Sequence, residues 1–227
     1  MVADRSALPA LGPDAPFVFP SIRRARLDNG LPVWTVQHGD VPVVTMVLLV
    51  RAGSSADPGG RPGLASLTGD MLDEGAGDRS AYEVHEALAR IGAQFDTEVG
   101  PDATFLTLTT LEKFRADGLA LLADLVARPR FDPAEFSRVR QLRASRLRQM
   151  RDVPSATADR AFATALYGAH PYGHLAIGTL AALDEVTLDE VVGFHRQRFR
   201  PEQAVLIVAG SVEHATLIEE GNRAFAA

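Results

Sequence analysis

His170 and His174 stand at the i,i+4 spacing with which one face of a helix grips a zinc ion. Pro171 and Gly173 lie between them and work against a helix, so the pair reads as surface imidazoles in a turn. His85 and Glu86, in "VHEAL", lack the second histidine that a helical metalloprotease pair needs, and His85 reads as a residue on a helix surface. Asp70, Asp73 and Glu74 are hard-cation ligands by type, but the sequence around them has no calcium-loop pattern, and they read as a solvated acidic face. No cysteine is present, which excludes disulfides, iron–sulfur ligation and thiolate zinc sites. No Ser-His-Asp arrangement is evident along the chain.

The elements that carry these residues belong to an ordinary globular chain: 227 residues, 46% hydrophobic and 23% charged, with a formal charge of −6. That charge argues against nucleic acid or an anionic membrane as the main partner. No stretch is long and apolar enough to insert in a bilayer, and "MVADRSALPALGPDAPFVFP" has neither the basic start nor the apolar run of a signal peptide. Cytoplasmic residence is expected, or periplasmic if a leader has been removed. Residues 1–22 read as an extended arm and residues 23–227 as one domain.

Asn29-Gly30 between two alternating segments predicts a hairpin with a type I′ turn. "VPVVTMVLLVRAG" has apolar residues on both faces and predicts a central strand. A helix is expected over "GLASLTGDMLDEG", with Leu64, Leu67, Met71 and Leu72 inward. A second follows over "SAYEVHEALARIG", where Ser80 and Glu83 form a capping box. "AQFDTEVGPDATFLTLTTL" predicts another hairpin, turning at Gly100-Pro101-Asp102. Helices follow from Glu112, from Pro133 to about Arg151, and from Pro154 to Tyr167. Val139, Leu142 and Met150 mark the expected buried side of the arginine-rich one, leaving its arginines solvated. A short helix near Leu180, a longer one from Leu188, the strand "QAVLIVAG" and a last helix complete the chain. Strands and helices cluster instead of alternating, which predicts an α+β fold with helices packed on a largely antiparallel sheet.

Four segments in order, "LDNGLPV", "VRAGSSADPGGRPGLASL", "HPYGHLAIGT" and "RFRPEQAVLIVAGSV", make the chain resemble the N-terminal half of an M16-family peptidase, the group of pitrilysin, insulinase and mitochondrial processing peptidase. The resemblance implies the metallohydrolase half-fold shared with LuxS, and members about twice this length, built from two similar halves. Catalytic members carry H-x-x-E-H, whose histidines hold zinc while the glutamate acts as general base. In this sequence those positions fall on Ser66, Gly69 and Asp70. The third ligand, a glutamate, falls near Arg146, and no glutamate occurs between Phe136 and Pro154. The resemblance therefore implies no metal and no cofactor, and no catalytic residue. An ion pair between Asp70 and Arg146 is expected where a zinc ion would tie two helices together.

The family's substrate-side strand matches the stretch after Gly92, so Gln94, Phe95, Asp96 and Thr97 are the candidate substrate-binding residues. The function expected from the resemblance is that of a zinc-less half of a two-part metallopeptidase. It would help form the chamber and bind peptide, with a zinc-containing M16 subunit or a C-terminal M16-like half as partner. Other readings remain: a structural scaffold like the core subunits of respiratory complexes, an enzyme working by unfamiliar chemistry, and an active zinc metallopeptidase.

Overall fold

The computed structural model describes Gly12, residues 18–39 and residues 41–226. Most of the arm expected over residues 1–22 lies outside them. The strands are β1 (Ile22–Arg26), β2 (Pro32–Gln37), β3 (Val43–Val50), β4 (Gln94–Val99), β5 (Thr104–Leu111) and β6 (Ala204–Gly210). They form one six-stranded sheet in the order β1-β2-β6-β3-β5-β4. Only β2 and β6 run parallel, and every other pair is antiparallel. This is the expected α+β class.

β3 sits between β6 and β5, as its two apolar faces require. Val44, Met46, Leu48 and Val50 are fully buried on one face, while Thr45, Val47 and Leu49 are half-buried on the other. Helix α3 (Arg115–Ala127) lays Leu119, Leu122 and Leu125 into the same cluster as Met46, Leu48, Leu106 and Leu108. Burying one such side chain is worth about 1.5–3 kcal/mol, so this contact between sheet and helix is a main anchor of the fold.

The turn after β1 differs from expectation. Gly30 takes φ 88°, but Asn29 does not enter the left-handed region that a type I′ turn needs. Gly30 N–H donates to Leu27 O and Leu27 N–H to Leu31 O, both at 2.9 Å, closing a turn in which the glycine alone is left-handed. Asn29 spends its side chain elsewhere: Oδ1 accepts from Leu31 N–H and Nδ2 donates to Phe225 O. Side-chain hydrogen bonds at both ends of that amide decide the turn type.

Helix α1 (Leu64–Asp70) is also shorter than the expected run to Gly75. Met71 N–H and Leu72 N–H bond three residues back, to Thr68 O and Gly69 O, and the chain turns away into Gly75 at φ 113°. Met71 and Leu72 are nonetheless fully buried. Helix α2 (Ala81–Arg90) has the predicted capping box. α4 (Pro133–Arg151) is capped by Asp132, whose carboxylate accepts from Ala134 N–H at 2.8 Å, with Pro133 at its first position. α5 (Pro154–Tyr167), α6 (Leu180–Glu185), α7 (Leu188–Arg198) and α8 (His214–Ala224) follow as the sequence indicates. The sheet order leaves β4 at an edge, beside α1.

Candidate functional site

α1 is held at its start by a close backbone contact and by a carboxylate upstream instead of by its own cap residue. Gly63 has φ 101° and lies against Gly178, so close that a Cβ on it would stand 2.9 Å from the Gly178 Cα. The fully buried Asp57 carboxylate accepts from Gly63 N–H and Ala65 N–H, both at 2.7 Å. Burial raises the Asp57 pKa to about 6, against the pull of those two hydrogen bonds and of the Arg143 charge. His174 Nε2 lies 3.8 Å from the same carboxylate. Its Nδ1 is buried without a partner, and burial lowers its pKa. His174 is thus half-buried beside Asp57, in the loop before α6, whereas His170 is exposed and accepts from Tyr172 N–H.

The three positions where zinc chemistry would sit share one face of α1, and a guanidinium fills the space beside them. Arg143 of α4, with 6% of its side chain exposed, donates to Ser66 Oγ at 2.9 Å and Ile177 O at 3.3 Å, and forms an ion pair with Asp70. The expected ion pair across the two helices exists, but its cation is Arg143. Arg146, one turn on, is exposed, and its side chain makes no hydrogen bond or ion pair among the described residues. The buried stripe of α4 is Phe136, Val139, Arg143, Ala144 and Leu147, while Leu142, expected inside, is 58% exposed. Arg143 stands four residues after Val139 and four before Leu147, a helical spacing that places it on the buried side.

Gly69 has a separate role. A Cβ there would meet Thr97 Cγ2 at 3.1 Å and Val99 Cγ2 at 3.2 Å, so the missing side chain lets β4 close against α1. Thr97 Oγ1 is left buried with no hydrogen-bond partner at this contact. The acids that follow are not the solvated face expected. Glu74 pairs with Arg138, and Asp73 has its pKa raised by burial and by the neighbouring Glu74 charge. His85 is exposed on α2, with Nε2 3.9 Å from the Asp73 carboxylate.

These elements enclose a groove of about 520 Å³ between α1, β4 and α4. Ser66, Gly69, Asp70 and Arg146 line it, as do Phe95, Asp96 and Thr97 of the predicted substrate strand, with Gln94 just beyond. Glu98, Val99, Leu142, Arg143 and Ile177 were not anticipated from the sequence.

The donors in this groove do not fit zinc. One hydroxyl and one carboxylate replace two imidazoles, and both already bond a buried cation that would repel a metal ion. Among the described residues no three His, Asp or Glu side chains gather to hold a metal.

Residues 33–179 match the sequence profile of the insulinase family, peptidase family M16. A Rickettsia bellii protein named "Uncharacterized zinc protease" is 25% identical over 201 residues, covering 88% of this chain and 49% of that protein. The structure of a peptidase M16 inactive domain from Pseudomonas fluorescens superposes with a TM-score of 0.85 at 24% identity, over 91% of this chain and 50% of its own. A protease from Helicobacter pylori gives 0.87 at 24% identity, over the same 91% and 50%. These two likenesses establish the fold. The chain spans about half the length of the relatives it matches.

Proposed function

The chain belongs to the insulinase family of peptidases, M16, and from that premise we propose that it is a zinc-less, non-catalytic half that binds extended peptide for a two-part metallopeptidase. The observation that carries this reading is the Arg143 guanidinium bonded to Ser66 and Asp70 where a metal would need ligands, beside a sheet edge that remains open. The position that the resemblance gives to the general base is Gly69, which has no side chain to activate water. The edge of β4 presents backbone N–H and C=O groups that no other strand pairs, and an extended peptide can add there as a further strand. Phe95, Asp96 and Thr97 flank that edge and the groove, and Gln94 begins it.

The partner is a zinc-containing M16 subunit or a C-terminal M16-like half. Two features support it: the relatives are about twice as long, and α5 buries none of its residues while exposing Phe162, Leu166 and Tyr167.

Amide hydrogen exchange tests the reading. An uncharged extended peptide should slow exchange in residues 94–99 and remain uncut by the chain alone. Binding that leaves those amides unprotected, or cleavage of the peptide, would contradict it.

A further inference from the structure

β4 alternates cleanly. Phe95, Thr97 and Val99 turn toward the helices, and Gln94, Asp96 and Glu98 are exposed on the opposite side of the strand. Neither the Asp96 nor the Glu98 side chain makes a hydrogen bond or ion pair among the described residues. Their cross-strand neighbours on β5 are Thr107 and Phe105, which carry no charge to neutralise them. Two unpaired carboxylates therefore stand two residues apart along the free edge of the sheet.

The groove side of the strand is close to neutral: Asp70 pairs with Arg143 and Glu74 with Arg138, which leaves Asp73 and Arg146 as its other charges, so the edge carboxylates Asp96 and Glu98 set the sign of this flank. A strand added to β4 places alternate side chains directly beside Asp96 and Glu98, within the reach at which opposite charges stabilise a cross-strand pair and like charges oppose it. The intervening side chains of that strand fall on the groove side, near Phe95, Val99 and the exposed Leu142.

Resting on the peptide-binding reading above, we infer that the β4 edge selects extended peptides with Lys or Arg at alternate positions and apolar residues between them, and that Asp96 and Glu98 are the specificity-determining residues. The two carboxylates are placed to pair with the basic side chains of the bound strand, while backbone pairing supplies affinity common to any extended peptide.

The experiment measures binding of three labelled peptides of equal length, alternating apolar residues with Arg, Gln or Glu, to the whole chain by fluorescence anisotropy. A preference of about fivefold for the Arg peptide over the Gln peptide is expected from two cross-strand charge pairs. It should vanish in Asp96→Asn/Glu98→Gln, with affinity for the Gln peptide unchanged. It should persist in Asp184→Asn/Glu202→Gln, which removes two exposed carboxylates elsewhere and so controls for overall charge. Equal binding of the three peptides, or a preference that survives loss of Asp96 and Glu98, overturns the inference while leaving the peptide-binding reading intact. Failure of all three to bind overturns that reading itself, and so does a peptide-free homodimer whose residues 94–99 already resist exchange.

Discussion

At the scale of single residues, the face of α1 that carries Ser66 and Asp70 is tied to α4 by an internal ion pair. Arg143 is almost wholly buried, while the Asp70 side chain keeps 47% of its surface in water. Removing the carboxylate leaves a buried cation with one hydroxyl and one distant carbonyl. Asp70→Ala should therefore cost about 3 kcal/mol, the low end for breaking a buried pair because Asp70 is half exposed, and chemical denaturation would read it. A cost below about 1 kcal/mol would show that the guanidinium is hydrated instead of held. The sequence placed Ser66, Gly69 and Asp70 on one face of a helix, as the structure has them. It also made an ion pair legible, but not which arginine formed it. Counting from a distant proline gave Arg146. Following the buried stripe through Val139 and Leu147 gives Arg143, and Leu142, an apolar residue left in solvent, obscured that stripe.

At the scale of elements, α1 depends on contacts far along the chain. Asp57 and the Gly63–Gly178 approach fix its start, and Thr97 and Val99 pack against Gly69. The Asp57 pKa of about 6 lies above the ordinary aspartate value of 3.8, so the folded chain holds the proton more tightly than the unfolded chain. Its contribution to stability is thus present at low pH and lost as pH rises toward about 6. His195 acts in the opposite sense: burial lowers its pKa, so the stability tied to it is lost as pH falls below the ordinary histidine range. Comparison with Asp57→Asn isolates the carboxyl. Between about pH 4.5 and pH 7 the native chain should lose roughly 2 kcal/mol relative to the variant, measured by urea unfolding at both values. Parallel curves for the two proteins would show that Asp57 is not desolvated. The edge position of β4 came from the sheet order, while element order and the capping of α2 followed from periodicity and turn residues. The early end of α1 and the turn at Asn29 did not, because each is decided by partners remote in sequence, among them Phe225 for the Asn29 amide.

At the scale of the whole molecule, one sheet with helices against its buried face carries a groove and a free edge on the same flank, and the guanidinium bridge holds the groove's two helices together. Under the proposed function, the groove and the free edge are the peptide-binding surface and the chemistry is that of another M16 domain. The claim on which this rests is that the groove takes no metal. Native mass spectrometry of the chain equilibrated with zinc measures that directly. The expected spectrum shows the metal-free mass with no stoichiometric adduct, in the native chain and in Asp70→Asn alike. One zinc per chain, lost in Asp70→Asn, would contradict the account.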